Sequence, residues 1–217
     1  MHLLVVCTAN IARSPLADAM LSASLEPHGV EVLSAGTQAI EGYPAAELTQ
    51  KMAAQRGLDL SEHRSQVVTA SLVSDASLVV TMSQRHRDRC APLSAGAGSH
   101  VFTLRELVRL LRAADLDDPP AQVTDRIPWM VDRAHRARPS ASPASAPEDV
   151  HDPIRDPEPA WVQMAGMLDQ LCGELVEALD VAPGWDPPPA MAEDPRVPEG
   201  RTAGRRRRPR WTRGSTR

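Results

Sequence analysis

Aromatic side chains are scarce in this 217-residue chain: four Trp, one Tyr and one Phe, 3% in all. Any core must therefore be built from Leu, Val, Ala and Met, within a hydrophobic share of 42% that is ample for one domain. Cysteine is equally sparse. Cys7, Cys90 and Cys172 form no C-x-x-C and no paired framework, which argues against a disulfide scaffold and against a zinc site. No apolar run near the N-terminus exceeds six or seven residues, far short of a signal or membrane helix. The expectation is a cytoplasmic protein with no membrane span, and nothing in the sequence demands more than a monomer.

Charge is unevenly spread. From Gly184 onward there are nine Arg against four acids, about +5, and the rest of the chain carries about −9 of the net −4. A basic tail of this kind suits anionic partners, nucleic acid or membrane surface, but a solvated, disordered end explains it as well. The run Pro183-Gly184-Trp185-Asp186-Pro187 is read as the stop of the fold, giving one domain over 1–182 and a disordered basic tail over 183–217.

What the chain does have is concentrated in its first fifteen residues. Leu3-Leu4-Val5-Val6 is a buried-strand pattern, Cys7 to Ala12 are small or polar, and Ser14-Pro15 opens a helix. Strand, tight loop and helix mouth together form a concavity into which loop amides and the helix dipole point positive charge. Such a field holds an oxyanion and stabilises a thiolate at Cys7. Arg13 can grip two phosphate oxygens with its planar fork, and Ser14 can donate to the Cys7 sulfur. The amides of Thr8, Ala9, Asn10, Ile11 and Ala12, with Ser14, would line the cradle. A nucleophile inside an oxyanion cradle is a phosphoryl-transfer site.

Downstream, Val30–Leu33 alternates as a second strand and leads into Ser34-Ala35-Gly36-Thr37, a βαβ unit with the first strand. A helix over 45–56 ended by Gly57, a further helix after Ser65, a strand over 76–82 and a fourth at 100–103 complete an open α/β pattern. The active site then belongs at the carboxyl end of the first strand. Arg85 to Arg89 form a basic stretch suited to acidic substrate or, more blandly, to a solvated helix face. The segment 117–148 is rich in Pro, Ala, Ser and Asp and reads as a lid or a disordered insertion, with Ile127–Val131 as a packed turn inside it. Ala160 to Leu179 has the periodicity of a last helix.

Cys7-x5-Arg13 followed by Ser14-Pro15, with Asn10 inside the loop, Ser34-Ala35-Gly36-Thr37, Gly57 to Ser65 and a late Asp152-Pro153, resembles the low-molecular-weight protein tyrosine phosphatases over about residues 1–180. The resemblance implies a three-layer sandwich: a four-stranded parallel sheet with helices on both faces. It implies Cys7 as nucleophile, Arg13 as phosphate clamp and Asp152 as general acid, with Asp156 and Asp149 as rival matches. It also implies that Ser34 and His63 bond to Asn10 and hold the loop's shape, where turn and helix-start roles would otherwise suffice. Ile40 falls at a pocket-wall position and Ile154 after Pro153, both often aromatic in the family, so the expected pocket is poor in aromatic stacking. Ala12 stands where many members carry a second cysteine. The implied chemistry is metal-free and cofactor-free hydrolysis of a phosphomonoester, on protein phosphotyrosine or a small phosphoester, through a phosphocysteine. Two other readings compete: arsenate reduction coupled to a small thiol, since Ser83 interrupts the relay that would use Cys90, and a non-catalytic phosphate-binding module.

Overall fold

The computed structural model describes residues 1–94, 98–138 and 148–188. Four strands, β1 (His2–Cys7), β2 (Glu31–Gly36), β3 (Leu78–Thr81) and β4 (Val101–Thr103), form one parallel sheet in the order β2-β1-β3-β4. β1 is central, which is why its Leu-Val run is continuous rather than alternating.

The side chains of each strand divide between two cores. Leu3, Val5 and Cys7 of β1 face one cluster, with Leu78, Val80 and Phe102. Leu4 and Val6 face the other, with Val79 and Val101. The larger cluster is closed by α1 (Arg13–Leu25), α2 (Glu47–Ala54), α5 (Leu104–Ala113), α6 (Val123–Ala137) and α7 (Glu158–Glu177). The smaller is closed by α3 (Ala70–Asp75) and α4 (Gln84–Cys90) through Val73 and Cys90. This is the three-layer sandwich the sequence implied. Phe102 is the only Phe, and it sits fully buried in the larger core.

Three segments differ from expectation. The stretch 117–148 is not a lid as far as it is described: α6 occupies Val123–Ala137 and buries Val123, Ile127, Met130 and Ala134. Those four positions repeat at helical spacing, and their burial outweighs the cost of Pro128 inside the helix. Residues 139–147 of the expected insertion lie outside the described ones. The helix expected directly after Ser65 begins later, at Ala70. Val67 and Val68 stay extended, Val67 bridging to Gly36, and the Thr69 hydroxyl accepts from the Leu72 N–H at 3.2 Å to start α3.

Packing also runs past residue 182. Trp185 is buried and its Nε1–H donates to Asp169 at 3.1 Å, while the Gly184 N–H donates to Ser24 Oγ at 2.8 Å. A Cβ on Gly184 would meet the Ala23 carbonyl at 2.2 Å, so only glycine fits against α1 there. The first compact unit is Met1–Pro187. The Arg-rich part of the tail lies outside the described residues. Among the described residues no helix is long and apolar enough to cross a membrane.

Candidate active site

The loop between β1 and α1 is built from behind. Asn10 adopts φ 54°, a left-handed conformation that Asn tolerates better than most residues. Its side-chain amide is bonded at both ends. Nδ2 donates to Ser14 Oγ and to Ser34 Oγ, each at 3.0 Å, and Oδ1 accepts from the Gln66 N–H at 2.9 Å. His63 Nε2 lies 2.8 Å from the Asn10 carbonyl, and because that oxygen only accepts, Nε2 carries the proton. Burial pushes His63 below the ordinary histidine range, against the opposing effect of that carbonyl. Ala46 N–H and Thr49 Oγ1 both donate to the Ile11 carbonyl, so the start of α2 clamps the far side.

Gly36 is required by the same loop. A Cβ there would stand 2.6 Å from the Thr8 carbonyl and 2.9 Å from the Asn10 nitrogen. The chain passes this close because Thr37 and Gln38 donate their N–H groups to the Cys7 and Thr8 carbonyls at 3.0 and 2.8 Å.

Cys7 sits at the carboxyl end of β1 and its Sγ accepts two hydrogen bonds, from the Asn10 N–H at 3.3 Å and from Ser14 Oγ at 3.0 Å. Ser14 can give its proton to the sulfur because Asn10 already fills one of its lone pairs. Two donors are thus aimed at one sulfur. Arg13, buried in the first turn of α1, donates from Nη1 to the Val150 carbonyl at 3.2 Å. Its Nη2 donates to Thr8 Oγ1 at 3.2 Å and is ion-paired with Asp152 Oδ2.

A cavity of about 90 Å³ is lined by Cys7, Thr8, Ala9, Ile11, Ala12, Arg13, Asp152 and Ile154. Sites that enclose a whole drug-sized ligand run to roughly 300–1,000 Å³, so this one takes a headgroup and leaves the rest of the substrate outside. Among residues expected to contact substrate, Asn10 and Ser14 point inward, supporting the loop and the sulfur. Ile40 is 69% exposed on the neighbouring loop and does not line the cavity, whereas Ile154 does.

The three candidate aspartates separate clearly. Asp149 Oδ1 accepts from the Gln84 N–H at 2.8 Å, at the start of α4. Asp156 pairs with His151 Nε2 at 2.6 Å. Asp152 alone of the three lines the cavity.

Sequence reasoning did not find His86. It is buried on α4, with Nε2 2.9 Å from Thr8 Oγ1 and Nδ1 2.8 Å from Ser83 Oγ. Burial, then the nearby Arg13 charge, push it down to about 4, so the ring is neutral at neutral pH. The available signal was topological: β3 neighbours β1, so residues just beyond the end of β3 face the loop just beyond β1. Cys90 lies in the opposite core from Cys7, and burial pushes its thiol up to about 11. That environment is unsuited to a relay thiol.

Asp18, one turn beyond Ser14 on α1, is raised from 3.8 to about 6, chiefly by burial and against bonds from Ser34 and Ser22. A carboxyl whose folded value is raised contributes stability that is complete below about 3.8 and lost as pH rises through about 6. At neutral pH its ionised form therefore costs roughly 3 kcal/mol. Asp18→Asn should raise the melting temperature at pH 7, with the gain vanishing near pH 4. Equal gains at both pH values, or a loss at pH 7, would contradict this account.

A thiolate position, a buried guanidinium and a carboxyl converging on a small oxyanion cradle define a phosphoryl-transfer site of the cysteine phosphatase class. The family model for low molecular weight phosphotyrosine protein phosphatases matches residues 2–136, and the chain belongs to that family. It is 41% identical over 117 residues to the probable low molecular weight protein-tyrosine-phosphatase EpsP of Ralstonia solanacearum, covering 54% of this chain and 77% of that one. It is 33% identical to a protein-arginine-phosphatase of Geobacillus stearothermophilus, covering 61% of this chain and 92% of the relative. The low molecular weight protein tyrosine phosphatase of T. tengcongensis superposes with a TM-score of 0.60 at 25% identity, over 82% of this chain and 98% of the other. The family match ends before Asp152.

Proposed function

We propose that this enzyme hydrolyses phosphomonoesters, protein phosphotyrosine foremost, by two in-line displacements at Cys7. The observation that carries the reading is the convergence of Cys7, Arg13 and Asp152 on one cavity formed by the β1–α1 loop. The Cys7 thiolate attacks phosphorus. Arg13 and the loop amides from Thr8 to Ala12 hold the equatorial oxygens of a loose transition state. Asp152, protonated, gives its proton to the leaving oxygen, and the P–O bond breaks as the P–S bond forms. Water then attacks the phosphocysteine while Asp152 takes its proton, returning inorganic phosphate and the Cys7 thiolate. The Ser14 hydroxyl stabilises sulfur as it leaves. Ser34 and His63 act at one remove, by fixing Asn10 and with it the loop. Every group in this scheme comes from one chain, so a monomer suffices. The reading places the enzyme in the cytoplasm, a reducing compartment where Cys7 stays a thiol.

Phosphoarginine is a second substrate class with specific support. One relative is named a protein-arginine-phosphatase, and the cavity's outer wall carries Ile154 in place of a stacking ring. The deciding experiment is metal-free turnover of an aryl phosphate, a phosphotyrosine peptide and a phosphoarginine peptide by wild type and Asp152→Ala. Loss of the acid should slow aryl phosphate hydrolysis roughly 10²- to 10⁴-fold, less for good leaving groups. Activity indifferent to Asp152 would remove it from the mechanism, and no turnover of any of the three would remove the phosphatase reading itself.

A further inference from the structure

We infer that His86 is a positioning residue for phosphoryl transfer, holding the Thr8 hydroxyl against Arg13 from behind the phosphate cradle. The inference rests on the phosphatase reading above and concerns a side chain that the mechanism has not used. One line of contacts runs from α4 to the general acid: Ser83 Oγ to His86 Nδ1 at 2.8 Å, His86 Nε2 to Thr8 Oγ1 at 2.9 Å, Arg13 Nη2 to Thr8 Oγ1 at 3.2 Å, and Arg13 Nη2 onward to Asp152.

The direction of each bond follows from the charge at one end. Arg13 only donates, so Thr8 Oγ1 must present a lone pair to it. The same cation favours the imidazole tautomer whose lone pair lies on Nε2, toward Thr8. Thr8 then donates its hydroxyl proton to Nε2, and Nδ1–H donates to Ser83 Oγ. From Arg13 to Ser83 the three bonds point the same way, and such aligned chains reinforce one another; on its other side Arg13 donates to Asp152. A structural explanation for Ser83 already exists, because its hydroxyl caps α4 by accepting from the His86 N–H at 3.3 Å. That cap needs no imidazole. The ring adds the bridge to the catalytic loop, and it does so as a neutral acceptor.

Without that acceptor the Thr8 hydroxyl is free to rotate and to turn its hydrogen toward Arg13. The guanidinium then loses the contact that, with Val150 and Asp152, fixes its plane. A clamp displaced by a fraction of an ångström acts more weakly on the transition state than on bound phosphate.

The test compares His86→Leu, His86→Gln and His86→Asn. Leu supplies no acceptor. Gln reaches Thr8 with an amide. Asn reaches only as far as Ser83. His86→Leu and His86→Asn should lower kcat for aryl phosphate on the order of 10- to 100-fold. They should also weaken inorganic phosphate binding, measured by calorimetry, by a smaller factor, and His86→Gln should recover most of both. Thr8→Val should reproduce the defect, and Thr8→Val with His86→Leu should lose no more than the worse single variant. If His86→Leu melts below the assay temperature, the Gln and Asn variants decide. Unchanged kcat in wild-type-like Asn protein, Gln no better than Asn, or multiplying losses in the double variant would overturn the inference. Wild type that turns over no phosphate compound would sink the phosphatase reading instead. The phosphate-binding comparison would still decide the role of His86, since unchanged affinity across the three variants overturns it.

Discussion

Cys7→Ser should abolish multiple turnover, on the order of 10⁴-fold or more, while phosphate binding survives. The sulfur is held by two donors, the Asn10 N–H and the Ser14 hydroxyl, that stabilise negative charge on it. A serine hydroxyl in the same place stays protonated at neutral pH and offers a poor nucleophile. It also makes a poor leaving group, so any phosphoserine formed would hydrolyse slowly. The cradle itself is held by bonds that bypass the sulfur, from Asn10 Nδ2 to Ser34, from the Gln66 N–H to Asn10 Oδ1 and between His63 and the Asn10 carbonyl. Acid quench of wild type during turnover should trap phosphate on Cys7. The serine variant should bind inorganic phosphate within a few-fold of wild type. Turnover by the serine variant would mean that water attacks phosphorus directly and that Cys7 is not the nucleophile.

Much of this site was legible in the chain because its chemistry is local. Cys7, Arg13 and Ser14 lie within one turn of loop and one of helix, and strand–loop–helix patterning places them without knowledge of the rest. Gly36 entered the reading only within Ser34-Ala35-Gly36-Thr37, and the reason a glycine is needed there, the close passage of the Thr8 carbonyl, is a tertiary one. Asp152 was harder. Asp152 and Asp156 share the Asp-Pro signature and Asp149 is a weaker third, so it is their partners that separate them, the Gln84 N–H for Asp149 and His151 for Asp156.

What was not legible depended on long-range burial. The apolar positions of α6 outweigh its proline, yet in sequence they sit inside a Pro- and Ala-rich segment that reads as unstructured. Trp185 looks like part of a stop signal until Asp169, itself paired with Arg56 at 2.6 Å, is seen to receive its indole N–H. Ile40 was placed in the pocket by analogy of position, but the loop it occupies turns it to solvent. His86 is the clearest case. Its partners, Ser83 and Thr8, are three and 78 residues away, and no period or motif in the chain links the second pair.

Arg13→Lys should cost roughly 10²- to 10³-fold in kcat, despite preserving the charge. The guanidinium makes three separated contacts, to the Val150 carbonyl, the Thr8 hydroxyl and the Asp152 carboxylate. An ammonium is a compact charge whose donors radiate from one atom, so it cannot span that fork or present two parallel N–H groups to a phosphoryl oxygen pair. Among the described residues the buried side-chain atom left without a hydrogen-bond partner is Arg13 Nε. A buried donor of that kind costs free energy until an acceptor arrives. A bound oxyanion supplies one, and its charge offsets the cation at the same moment. Inorganic phosphate should therefore raise the melting temperature of wild type, and of Asp152→Ala still more, because the carboxylate no longer competes for Nη2. The lysine variant should show little of this stabilisation. If lysine supports both turnover and phosphate stabilisation at wild-type levels, charge alone is sufficient and the fork geometry carries no catalytic weight. If phosphate stabilises the lysine variant while turnover is lost, ground-state binding does not need the fork, contrary to this expectation, and the fork acts on the transition state alone.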